Sequence, residues 1–173
     1  MAGPPGVGFE QSYGAIIATM TGNIPGVQGI LANIPNVTAI PHFTTVPYNP
    51  IPLDAASAGA LNQAYAQYNG GLQLAAQNNL ITAEELEQRT IVFTEGEGNT
   101  MVLIDEDLTD LSGLMLPNFR QSTAADLFVL PLASLIPQGY GTQIQLPDSL
   151  VLTPEEQDEI AAATAQYNQV ISA

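Results

Sequence analysis

Apolar residues recur at spacings of three and four through FEQSYGAIIATMTG: Phe9, Tyr13, Ile16, Ile17 and Met20. That period predicts an amphipathic helix over 9–22, closed near Gly22. NIPGV then turns the chain. Ile30-Leu31-Ala32, inside QGILANIPNV, predicts a short buried strand over 28–37. A helix, a turn and a buried strand make half of a βαβ unit. Over 38–53 the period is lost, because Pro41, Pro47, Pro50 and Pro52 each push the preceding residue out of helical geometry.

Periodicity returns after Asp54, a good N-cap for an alanine-rich helix over 55–79 that Gly70-Gly71 weaken. Thr82 and Glu85 form a capping box for a helix over 82–89. TIVFTEG and TMVLIDEDL are β-rich runs joined by EGEGN, the pattern of a hairpin across 90–108. Ser122 or Thr123, with Asp126 near the third position, predicts another helix start in 122–136, although Pro131 argues against one straight helix. GYGTQIQLPDSLVL reads as loop and short strand. Thr153, Pro154 and Glu156 then open a closing helix. It stops without a glycine cap, like a chain cut short. Two helices share Ala-x-Ala-Gln-Tyr-Asn, at 64–69 and 163–168, with flanks that do not match; coincidence or parallel packing roles both explain it.

The chain's 173 residues suffice for one domain with a sizeable core, and 46% of them are hydrophobic. Charge narrows the picture. Seventeen acidic residues face two basic ones, Arg89 and Arg120, with no lysine, for a net charge of −15. Such a surface repels phosphate backbones and anionic lipid, so nucleic acid and acidic membranes are not expected partners. Without lysine there is no P-loop and no Schiff base; without cysteine there is no thiol nucleophile, disulfide or thiolate zinc site. No cofactor is implied. No apolar run reaches the ~18 residues of a membrane helix.

Few residues remain for chemistry. His42, the only histidine, is a candidate base set beside prolines. Ser149 lies in Pro-Asp-Ser-Leu, close to the Gly-Asp-Ser-Leu block of an esterase family, but proline restricts the turn and a helix cap follows. IDEDLTD gathers Asp105, Glu106, Asp107 and Asp110. Asp105, Asp107 and Asp110 are candidate calcium ligands, although the spacing is not that of an EF-hand; a solvated strand end is the plainer reading. Glu95 and Glu97 could extend that cation patch, or pair with Asp105 and Asp107 as glycosidase carboxylates, which no spacing favours. The glycine-rich GPPGVG and GNIPGVQG are not dinucleotide fingerprints.

Long stretches carry a resemblance: GILANIPNVTAIPHFTTVPYNPIPLDAASAGALNQAYAQYN, VFTEGEGNTMVLIDEDLTDLSGLMLPNFRQSTAADLFVLPLAS and LVLTPEEQDEIAAATAQYNQVI. From about Phe9 onward the chain resembles the middle of GDSL-like (SGNH) hydrolase-type lipoproteins of Bacteroidetes-like bacteria. The resemblance implies an α/β fold, a partial flavodoxin-like three-layer unit with a helical and β-hairpin insertion. It divides a single domain, 1–173, into an α/β core segment (9–44), a family-specific insertion (45–150) and a C-terminal helix (151–173). It implies an ester substrate for the full-length protein and a cell-envelope location. It also implies four catalytic blocks, bearing Ser, Gly, Asn and an Asp-x-x-His pair, and none of the four lands on a residue here. The expectation is a hydrolase segment that is silent alone. The alternative is a free-standing acidic binding domain. An unpaired strand at 28–37 would expose both edges, predicting a homodimer or a sheet rebuilt with the 90–108 hairpin.

Overall fold

A computed structural model describes residues 8–173. In chain order the elements are helix α1 (Phe9–Asn23), a one-turn helix α2 (Pro41–Thr44), strand β1 (Ile51–Leu53), α3 (Ala55–Gln77), α4 (Ala83–Arg89), β2 (Gly96–Asn99), β3 (Val102–Ile104), β4 (Phe119–Gln121), β5 (Leu127–Phe128), β6 (Val151–Leu152) and α5 (Pro154–Ser172), with short 3-10 turns between them. The chain is thus a mixture of helix and small antiparallel sheets. It divides into two compact units: residues up to Val37 together with Glu156–Ala173, and Thr38–Glu155. We call them the terminal unit and the inserted unit. Their boundaries fall seven and five residues from the segment limits expected at 44/45 and 150/151.

The inserted unit is organised by α3. Asp54 caps it, accepting a hydrogen bond from the Ser57 N–H at 2.7 Å. Helical spacing then puts Ala58, Leu61, Tyr65, Tyr68, Leu72 and Ala75 on one buried face. They pack with Ile91, Phe93, Val102, Leu111 and Leu116. A second apolar cluster joins Met101, Leu103, Phe128, Leu132 and Leu146. Three two-stranded antiparallel sheets line these clusters, pairing β1 with β2, β3 with β4, and β5 with β6. Gly71, mid-helix, lets Leu116 approach closely: a Cβ there would stand 2.5 Å from Leu116 Cδ2, and that side chain would have to move.

The run expected as the first arm of a hairpin pairs with no strand. Residues 91–94 are extended, but side chains occupy their backbone groups. The Asn69 amide accepts from the Ile91 N–H (3.0 Å) and donates to the Ile91 carbonyl (2.8 Å). Asn62 does the same for Phe93, both at 2.8 Å. Gln121 accepts from Val92, and Asn99 from Thr94. Two helix-borne amides stand in for a neighbouring strand, which satisfies polar groups that burial would otherwise leave unpaired. The second arm, 102–104, pairs with β4 across a long loop. The helix start expected at Ser122 or Thr123 is a tight turn. Asp126 accepts there from the Thr123 N–H at 2.7 Å, and 3-10 turns follow at Leu130–Ser134 and Ile136–Gln138. Pro131 and Pro137 stand in these turns and deny a longer helix its donors.

The terminal unit is a different kind of object. It comprises α1, an extended stretch over 24–36 and residues 156–172 of α5. The strand expected at 28–37 is absent from it. Ile30 is 96% exposed, and no ladder pairs that stretch. Asn168 holds the exit of the stretch, accepting from the Ile34 N–H (2.7 Å) and donating to its carbonyl (3.0 Å). Phe9 stacks on Tyr13 and meets Tyr167 edge-on, with ring centres 5.6 and 4.5 Å apart. No described side chain of this unit is buried.

The repeated hexapeptide now has a physical meaning. Asn69 and Asn168 each stand fifteen residues past the residue that precedes their helix, Asp54 and Thr153. Each clasps one extended isoleucine through both its polar atoms. A parallel packing role explains the shared motif without matching flanks.

Candidate functional site

The inserted unit holds both of the chain's cations, and neither reaches solvent. Arg120 is 3% exposed. Its Nη1 and Nη2 donate to both carboxylate oxygens of Asp126, at 2.8 and 2.7 Å, while its Nε donates to Asp105 Oδ2. The paired carboxylates outweigh burial and hold the guanidinium firmly protonated. Asp105 uses its other oxygen to accept from the Asp107 N–H at 3.0 Å. Asp126 also accepts from Thr123 Oγ1. The triad pins β4 to the end of β3 and to the 123–126 turn.

Arg89 is fully buried at the end of α4. It donates to Glu85 Oε1 (3.0 Å), the Thr109 carbonyl (2.9 Å), the Pro117 carbonyl (3.0 Å) and the Tyr68 hydroxyl (3.3 Å). Glu85 in turn accepts from the Thr109 N–H and hydroxyl, at 3.0 and 2.7 Å. One arginine thereby ties α3, α4 and the 109–117 loop together. Burial pushes the Glu85 carboxyl up, but the hydrogen bonds from Thr109 and Arg89 outweigh it and leave it below the ordinary glutamate value of 4.5. Backbone N–H groups of Ser57 and Ser112 lower Asp54 and Asp110 in the same way.

A carboxyl lowered in the folded state binds protons less readily than in the unfolded chain. Its stabilisation is present above the unfolded pKa and is lost as pH falls through the folded one. The melting midpoint should therefore hold from about pH 7 to pH 5 and fall below about pH 4. Glu85→Gln should lose less over that interval than the parent in thermal melts by circular dichroism. Equal losses would place the acid lability elsewhere.

The residues singled out for chemistry are not brought together. His42 is exposed on α2, its ring edge-on to Phe43 at 4.9 Å. Ser149 is exposed in the 3-10 turn Asp148–Leu150. Among the described residues no hydrogen bond joins the two. Asp105 is buried and committed to Arg120, whereas Asp107 and Asp110 are exposed, the latter accepting from the Ser112 N–H at 2.9 Å. Glu95, Glu97 and Glu106 are exposed as well. Among the described residues, no group of three His, Cys, Asp or Glu side chains could share a metal ion. The ion pair also removes Asp105 from any catalytic carboxylate pair.

In the inserted unit, two concave surfaces lie side by side along α3. One hollow of about 830 Å³ is lined by Tyr65, Tyr68, Leu74, Met115 and Phe119; the other, about 610 Å³, reaches Leu80. Gly71, Leu74, Leu114 and Leu116 border both, so they form one continuous groove. The tyrosine hydroxyls are committed to neighbours that also border the hollow: Tyr65 donates to the Thr142 carbonyl and Tyr68 to that of Phe119, both at 2.6 Å. Burial raises both phenols above their usual range. The terminal unit has its own open hollow, also about 830 Å³, between Phe9, Tyr13 and Ile17 of α1 and Val170 of α5.

Sequence reasoning passed over the two arginines, although they are the only cations of a lysine-free chain. It also passed over Leu114-Met115, whose exposure depends on how the 109–117 loop is tied down. No protein family, curated protein or solved structure matches the chain.

Proposed function

We propose that the chain is a non-catalytic part of a GDSL-like (SGNH) ester hydrolase. In this reading the terminal unit is an open portion of a flavodoxin-like core that further polypeptide completes, and the inserted unit is a self-contained accessory module. The resemblance of the long loop segments motivates it, and one observation supports it above the others. Residues 11–40 carry no charged side chain in a chain of net charge −15, yet Ile16, Met20, Ile24, Ile30 and Leu31 all stand exposed there. Apolar, charge-free chain belongs under a covering layer. A second copy of this chain is the other way to cover it.

Both candidate reactive groups are exposed and unpaired with each other, so His42 does not activate Ser149. Incubation with p-nitrophenyl butyrate should give no release of nitrophenol above the buffer blank, with Ser149→Ala and His42→Ala indistinguishable from the parent. Turnover abolished by Ser149→Ala would overturn the reading. The alternative, a free-standing acidic binding domain, draws its support from the groove on α3.

A further inference from the structure

We infer that the groove along α3 is a docking surface for a basic amphipathic helix of a partner protein. Its floor is the edge of α3, where the buried Tyr65 and Tyr68 meet the exposed Ala64, Gln67 and Leu74. One wall is built by Leu114, Met115 and Leu116, and its far end reaches Leu80. Leu74 is 61% exposed and Met115 91%. Met115 also holds a left-handed backbone (φ 58), which a non-glycine residue adopts at a cost. That conformation closes the 3-10 turn Ser112–Leu114, and it leaves a flexible thioether, a side chain suited to varied apolar partners, in solvent.

Charge selects the partner. No carboxylate lines either hollow. In sequence, the acidic residues next to these walls are Asp110, four residues before Leu114, and Glu84, four residues after Leu80, both exposed on a chain of net charge −15. Neither arginine is exposed and there is no lysine, so nothing on this surface attracts an anion. An apolar trough with acidic flanks fits a helix whose leucine-type anchors recur at i, i+3, i+4 and i+7 and whose other face is lysine or arginine. The groove follows α3 from Leu61 to Asn78, about 25 Å of helix at 1.5 Å per residue, room for several turns of a partner. A second copy of this chain would bring two strongly negative surfaces together, which disfavours it as occupant. The inference needs only the inserted unit and stands whether or not the hydrolase reading does.

The test uses a fluorescein-labelled helix of leucine and lysine about 14 residues long, roughly 21 Å, titrated with the whole chain and read by fluorescence anisotropy. Saturable binding is expected, weakening as salt is raised. The double variant Leu74→Asp/Met115→Asp should bind at least about tenfold more weakly. That variant is more negative than the parent, so an unchanged or tighter affinity would mean diffuse charge attraction and would sink the proposal. Equal binding of a leucine–glutamate helix would overturn it too, by removing the role of the acidic flanks. So would displacement of the helix by stoichiometric 1-dodecanol, which would make the groove a lipid site, or dimerisation of the free chain that the double variant abolishes. Both positions are exposed, and an unchanged melting midpoint of the variant checks that the fold is intact.

Discussion

Arg120→Ala should cost the inserted unit about 3–5 kcal/mol of stability, because it strands two buried carboxylates rather than removing one favourable contact. Asp105 and Asp126 would keep their backbone and hydroxyl donors but lose every cationic partner. At roughly 3–5 °C per kcal/mol for a body of this size, the melting midpoint should drop by about 10–20 °C. The cause can be separated from lost volume. A triple variant, Arg120→Met/Asp105→Leu/Asp126→Leu, replaces the ionic triad with apolar groups of similar bulk and leaves no charge stranded, so it should recover much of the loss. Arg120→Lys should recover little, since one ammonium cannot reproduce the forked contact with both oxygens of Asp126. If the triple variant melts as low as Arg120→Ala, packing volume and not charge pairing governs the site.

Arg89→Ala should come second, at about 3 kcal/mol, with a consequence that is local before it is global. The variant leaves the Thr109 and Pro117 carbonyls without their charged donor and opens a void beside Tyr68. Glu85 loses less, being partly solvated and still bonded to Thr109. The 109–117 loop is what this arginine secures, so limited proteolysis should cut there first, well below the melting midpoint. The same loop carries Leu114–Leu116, so the wall of the α3 groove should go with it. An Arg89→Ala protein that melts lower but keeps the loop resistant to protease would show that the arginine stabilises the unit generally and does not hold this loop.

Much of the helical framework was legible because its signals are local. The cap at Asp54, the cap at Thr82, where Thr82 Oγ1 accepts the Glu85 N–H at 3.1 Å, and the Phe9–Asn23 helix stand as the sequence predicts, although the Glu85 side chain bonds Arg89 and Thr109 and does not close the box. Strand pairing was not legible, for a physical reason. Whether 28–37 forms a strand depends on neighbours that its own residues do not encode, and here no neighbour pairs with it. The β-rich run at 91–94 met two asparagines of α3 instead of a hairpin partner, and 102–104 found β4, far along the chain. Such choices are made by tertiary context. Asp105 shows the same limit for chemistry. In IDEDLTD it looks like one ligand among several, and only the fold reveals that Arg120 has already claimed it.

Native-state hydrogen exchange, read by mass spectrometry on peptides across the whole chain, sets the two units against each other. The inserted unit, with its two buried clusters and ionic struts, should show slow exchange in α3, β3 and β4. The amides of 9–37 and 156–172, from a unit with no buried side chain among the described residues, should exchange orders of magnitude faster, and the stretch 24–33 fastest of all. Equal, strong protection in both units would mean that the terminal unit is already a finished core, with no place for further polypeptide to complete it.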